Sequence, residues 1–204
     1  MIMKTKYFLM LLFLAAIITS CNSDNTEDKY DLILEQYEGE YQLESMEWTP
    51  EGGQAMLVDV NNDNKASNDL LEEIIIMNSG VTLYRTKFIP NYGEKTGTFT
   101  VMIPVLDYYQ TSDVYGGSVC PSNLCFLKAT INDDGSLSSD VFEHLDWPDE
   151  DRIGLRAFGG VSIVSATPER IELNVDRYMV YDFRTSQRMI GKLSVLLTRY
   201  NGES

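Results

Sequence analysis

Hydrophobic positions divide this chain into one continuous apolar block at the start and a long series of alternating segments after it. Tyr7 through Ile18 is almost unbroken apolar sequence, preceded by Lys4 and Lys6 and followed by the small residues Thr19, Ser20 and Cys21. A positive flank, an apolar stretch and a small-residue end make the layout of a secretory signal, which assigns residues 1–20 to a signal peptide. The block is short for a span, which takes about 20 apolar residues. Polar Asn22, Ser23, Asp24 and Asn25 follow at once, so a transmembrane anchor is the weaker alternative.

Beyond the leader the pattern predicts strands. Gly39 to Trp48 alternates, with Tyr41, Leu43, Ser45 and Glu47 on one face and Gln42, Glu44, Met46 and Trp48 on the other. Gly97 to Tyr109 places Phe99, Val101, Ile103 and Val105 on one face, and Pro104 marks an edge or a bulge. Leu124 to Ile131 is a further strand, and Asn132-Asp133-Asp134-Gly135 signals a hairpin. Gly160 to Ala166, Arg170 to Asp176, Tyr178 to Phe183 and Met189 to Tyr200 complete the series, with turns at Thr167-Pro168-Glu169 and Arg184 to Gln187. Short helices are predicted over Tyr30 to Gln36, Asp69 to Met77 and Ser138 to Leu145. The fold class is therefore mainly β: an antiparallel meander forming a barrel or a β-sandwich, with one to three short helices. Residues 32–204 form a single β domain without internal repeats, and residues 21–31 form a flexible acidic tether.

Charge narrows the partners. The formal net charge is −15, and removing Lys4 and Lys6 with the leader takes it to −17. Such a surface argues against nucleic acid and against peripheral attraction to anionic membranes.

An exported chain meets oxidising conditions. Cys120 and Cys125, with Pro121 and Asn123 between them, are expected to close a small disulfide loop. Two free thiols remain the alternative. A zinc site would need more ligands than the single His144 offers.

The most chemical stretch runs from Asp59 to Asp69. Oxygen side chains at Asp59, Asn61 and Asp63 sit where the first half of an EF-hand loop places its ligands. Lys65 would offer its carbonyl, and Ser67 the ninth position. Asn64 stands where the loop usually has glycine, and the twelfth position is Leu70 instead of glutamate, so the closing carboxylate falls to Asp69, Glu72 or Glu73. Calcium is the cofactor this pattern suggests. A polar surface loop built from Asx turns explains the same residues without a cation.

Two resemblances follow from these residues. Ile18-Thr19-Ser20-Cys21 resembles the lipobox of bacterial lipoproteins. That implies cleavage before Cys21, its lipidation, and a place on the outer membrane at the periplasmic or the extracellular face. The lipobox, Gly39-Glu40-Tyr41, the Asp-x-Asn-x-Asp loop followed by Asp69-Leu70-Leu71-Glu72-Glu73, and the terminal meander together resemble lipocalin-like lipoproteins of Bacteroidetes. The resemblance implies a small barrel with a ligand mouth. It also implies that Arg199, in the last strand, packs over the aromatic of the Gly-x-aromatic strand. Tyr41 takes the place of the usual Trp.

No catalytic constellation stands out. His144 and Asp146 lack a Gly-x-Ser-x-Gly nucleophile elbow, and no phosphate-binding glycine loop is present. The expected function is a binding module for an apolar or glycan ligand, with Tyr108, Tyr109, Tyr115, Trp147, Phe158 and Tyr178 as candidate aromatics. An accessory subunit meeting a surface protein partner is the alternative, and a hydrolase a remote one.

Overall fold

The structure is a computed structural model in which residues 25–54, 56–111, 114–143 and 158–202 are described. The leader, Cys21 and the segment holding His144, Asp146 and Trp147 lie outside the described residues.

Helix α1 (Asn25–Tyr37) opens the described chain. It begins inside the stretch read as a tether, because Tyr30 is buried beneath the Lys95 ammonium, 3.8 Å from the ring centroid. Strand β1 (Gly39–Pro50) follows, then α2 (Leu70–Met77), a 3-10 turn at Ser79–Leu83, β2 (Arg85–Asn91) and β3 (Thr96–Thr111). The rest is β4 (Val114–Ile131), β5 (Leu137–Ser139), β6 (Phe142–Glu143), β7 (Gly160–Thr167), β8 (Arg170–Asp182) and β9 (Gln187–Arg199). All nine strands form one antiparallel sheet, ordered β5-β4-β3-β2-β1-β9-β8-β7-β6. The first strand lies between the second and the last, so the meander turns back on itself.

A single pass of chain brings the two edges together. β5 is laddered to β4 through Ala129↔Ser139 and Ile131↔Leu137, and β6 is laddered to β7 through Phe142↔Val161. Ser139 Oγ also accepts from Ile163 N at 2.9 Å. The result is a nearly closed antiparallel barrel. This pass corrects the helix expected over Ser138 to Leu145: serine is a poor helix former, and Leu137 enters the core only as a strand residue.

Bulges decide which side chains face inward. Strict alternation puts Tyr41 and Trp48 on opposite faces, yet both are fully buried. The β1–β9 register slips between Leu43 and Ser45, and the extra residue turns the second half of the strand over. β8 does the same between Val175 and Tyr178, with Arg177 at φ 56. That is why one strand looked like two. The β3–β4 register slips at Pro104, where a ladder donor is missing anyway.

β2 pairs with β1 only from Phe88 to Arg85. Past Gln42 the loop takes over, with Trp48 N donating to Asn68 O at 2.9 Å. Helix α2 then covers the gap with Leu70, Leu71 and Ile74. Its N-cap is Asp69, whose Oδ1 accepts from Leu71 N at 3.0 Å and from Met46 N at 2.8 Å. Inside the barrel, Tyr178 Oη donates to Pro104 O at 2.7 Å and Trp48 Nε1 to Tyr178 O at 3.2 Å. These bonds join opposite walls through the packed centre.

β4 carries both cysteines. Cys125 lies opposite Val101 and Cys120 opposite Val105, about 13 Å apart along the ladder at ~3.3 Å per residue. A disulfide needs Cα atoms within about 7 Å. The turn that would close the loop is replaced by paired strand, which corrects the expected disulfide geometry. Cys125 is buried, and burial pushes its thiol up to about 12. The side chain of Cys120 lies outside the described residues.

Candidate functional site

The barrel has two differently built ends. At the first, Gly39 leads out of α1 at φ 147, a conformation that favours glycine. A Cβ there would sit 3.2 Å from Arg199 Nη2. The Arg199 guanidinium lies 5.9 Å from the Tyr41 ring centroid. It donates from Nη1 to Gln36 O (2.8 Å) and Pro168 O (3.2 Å), and from Nη2 to Glu38 O (2.7 Å). Tyr41 Oη in turn shares its proton between Tyr37 O (2.9 Å) and Pro168 O (3.1 Å). Burial, partly offset by the Arg199 charge, pushes this phenol up to about 12. Tyr37, Tyr41, Phe88 and Phe99 form a chain of ring contacts with centroids 4.5–6.1 Å apart. The basic residue thus packs on the Gly-x-aromatic position, as the sequence resemblance implies.

At the second end, the loop after β1 folds against the β8–β9 turn. Arg184 Nη2 donates to Leu57 O at 2.6 Å, and Phe183 N to Asp59 O at 2.8 Å. Asp182, fully buried, accepts from Asp59 N (3.0 Å), Arg184 N (3.2 Å) and Thr185 Oγ1 (2.8 Å). Asp59 is itself buried. Its Oδ1 accepts from Asn62 N (2.7 Å) and its Oδ2 from Asn64 N (3.0 Å). Those two amides point inward because Asn62 and Asn64 adopt φ 63 and φ 65, a region asparagine tolerates. Asn61 Oδ1 accepts from Asp63 N (2.9 Å), and Asp63 Oδ1 from Lys65 N (2.8 Å).

Glu73 reaches this loop from α2. It is 4 % exposed, and its Oε2 accepts from Val60 N at 3.3 Å. One carboxylate oxygen each from Asp59, Asp63 and Glu73 lie within 4.8 Å of one another. Burial pushes the Glu73 carboxyl up to about 7, and the charges of Asp59 and Asp63 add to it, while the Val60 and Asn61 amides work the other way.

Of the eight residues singled out for a cation, three therefore converge. Asn61 and Lys65 sit in the same loop, and Asn61 Nδ2 donates to Glu73 O at 3.4 Å. Ser67, Asp69 and Glu72 are occupied otherwise. Asp69 caps α2, Ser67 Oγ accepts from Asp69 N (3.1 Å), and Ser67 Oγ donates to Glu72 Oε2 (3.0 Å). The donor set fits a hard cation: anionic oxygens gathered around a curled backbone, with one carboxyl held in a protonatable state by burial and, after it, by the charges of Asp59 and Asp63. Asp182, which grips the loop from 123 residues away, carries no local signal of that role. Only its place in the turn Asp182-Phe183-Arg184-Thr185 marks it.

Among the candidate aromatics, Phe158 and Tyr178 are core residues, 1 % and 0 % exposed. The side chains of Tyr108, Tyr109 and Tyr115, like all of Trp147, lie outside the described residues. The β3–β4 ladder runs from Thr96↔Thr130 to Thr111↔Val114, away from the α1 end and toward the acidic-loop side.

No family model matches the chain, and no curated protein matches it. Among solved structures, an odorant-binding protein from bovine nasal mucosa is 15 % identical, with a TM-score of 0.29 over 84 % of this chain and 76 % of that one. The bovine odorant-binding protein with its natural ligand gives 14 % and 0.28, over 83 % and 74 %. Its complex with undecanal gives 14 % and 0.29 over the same shares. The barrel is lipocalin-like on its own topology: a meander whose first and last strands pair, a helix across one end, and an arginine of the last strand seated on the first strand's aromatic.

Proposed function

We propose that this chain is a lipid-anchored binding module of the outer membrane, held through acylated Cys21 at the periplasmic or extracellular face, that takes an apolar or glycan ligand at the mouth of its barrel. The supporting observation is the asymmetric closure of the barrel. One end is sealed by α1 and Arg199, and the middle is filled by Trp48 and Tyr178. The β3–β4 ladder runs on to Thr111↔Val114 at the other end. A barrel of about eight strands has room for its own side chains or for one small ligand, and a filled middle moves the ligand to the rim. Titration of the purified protein with a fluorescent fatty acid and with a panel of oligosaccharides tests this. Saturable one-to-one binding of either supports it. Binding of neither, with a defined protein partner co-purifying, turns the reading to an accessory subunit of a surface complex.

A second reading concerns the acidic loop, which we assign to calcium on the convergence of Asp59, Asp63 and Glu73. Asn61 and the Lys65 carbonyl would complete the oxygen set. The ion would fix the loop against β8 and so shape the mouth. A rise in melting temperature with millimolar calcium, lost in Glu73→Gln, is the expected result; no shift in the parent protein rejects it.

A further inference from the structure

We infer that the end of the barrel crossed by α1 is seated on the lipid surface, with Leu32 and Tyr92 as its contact side chains, while the acidic loop points away from the bilayer. This rests on the anchoring of Cys21 proposed above.

The first argument is length. Three residues separate Cys21 from the start of α1 at Asn25, and an extended chain covers at most about 3.6 Å per residue, or ~14 Å for that interval. The thirteen residues of β9 reach about 40 Å along the strand. A lead that short cannot carry the far end of the barrel down to the membrane.

The second argument is that α1 belongs to the barrel and is not a loose lead. It touches the rim on both sides. Tyr30 Oη donates to Asp133 Oδ1 (3.4 Å) and Asp31 Oδ1 accepts from Gly93 N (2.9 Å) on one side. Tyr37 Oη donates to Ala166 O (3.1 Å) on the other. The helix therefore lies across the barrel end, with Leu34 and Tyr37 inward, and its opposite face is the floor of the domain.

The third argument is what that floor exposes. Leu32 is 61 % and Tyr92 52 % exposed, and with Asp31 and Glu35 they line one shallow concavity. Tyr92 Oη donates to Glu38 Oε2 at 2.8 Å. An exposed leucine beside a tyrosine with a bonded hydroxyl suits the headgroup boundary, where an apolar body and a polar tip are both accommodated. The carboxylates around them repel anionic lipid, so the fitting surface is a zwitterionic one.

Full-length acylated protein, reconstituted into phosphatidylcholine vesicles containing lipid brominated near the headgroup, tests the orientation. Tryptophan is placed on the floor by Leu32→Trp or at the far end by Arg188→Trp, and emission is read against the parent protein. The added emission of Leu32→Trp should fall at least twofold on bromination, and that of Arg188→Trp should not change. Equal quenching of both, or quenching of neither in protein that floats with the vesicles, overturns the inference. Tyr92→Trp repeats the measurement from the neighbouring turn if Leu32→Trp folds poorly. Protein that does not float and carries no acyl mass on Cys21 defeats the anchoring reading instead and takes this inference with it.

Discussion

The two ends of the barrel solve opposite electrostatic problems. At the α1 end the Arg199 guanidinium is set among carbonyl oxygens, and it donates to backbone acceptors at 2.7–3.2 Å. At the other end, carboxylates are set among backbone amides. Asp182 and Asp59 find several donors, whereas at Glu73 burial and the charges of Asp59 and Asp63 outweigh the Val60 and Asn61 amides. Buried polar groups are normally satisfied. A guanidinium whose hydrogen bonds are met is a structural closure. An end with a surplus of anionic oxygen is where something from solution has a place.

The comparison is broken most severely by Arg199→Ala. It removes the donors of three carbonyls and the cover of Tyr41, and should cost about 3 kcal/mol in denaturant unfolding. Arg199→Lys should recover only part of that, because a point charge cannot serve the same fork of acceptors. On the acidic side, calcium at 100 times its dissociation constant should add about 2.7 kcal/mol to stability. That gain should vanish in Glu73→Gln, followed by thermal unfolding.

A chelated sample exposes the surplus directly. A folded-state Glu73 raised to about 7 from 4.5 means that the folded protein keeps a proton which the unfolded chain has released. Stability should therefore fall as pH rises from about 4.5 to 7, by on the order of 2 kcal/mol, and Glu73→Gln should flatten that slope. The smallest effect belongs to Tyr37→Phe. It loses one hydrogen bond to Ala166 at the sealed end and should cost about 1 kcal/mol in the same unfolding assay.

Much of the barrel is legible in the sequence, because period-two alternation is a direct image of one buried face. The inward run Phe99, Val101, Ile103 and Val105 is an example. What alternation cannot convey is a bulge. Nothing in Leu43-Glu44-Ser45 announces that Tyr41 and Trp48 will share a face, since the slip is set by the partner strand β9. β2 escaped notice because its only buried side chains are Thr86 and Phe88, and because Pro90 lies within it. For the acidic loop, spacing identified Asp59, Asn61 and Asp63. It left the third carboxylate open among Asp69, Glu72 and Glu73, because a helical cap and a side chain turned into the loop look alike in one dimension. The fold separates them: Asp69 is turned to the α2 amides and Glu73 to the loop.

The pairing of Tyr41 with Arg199 has a kinetic consequence. The strand made first finds its second neighbour only in the strand made last. Until β9 is available, β1 and β8 each present an open edge, and the guanidinium that seals the α1 end is missing. Contacts of such wide sequence separation form slowly, and unpaired edges invite association in the meantime. Completion of this fold should therefore be a late, all-at-once event, and a chain truncated before Arg199 should aggregate instead of accumulating as a nearly finished barrel.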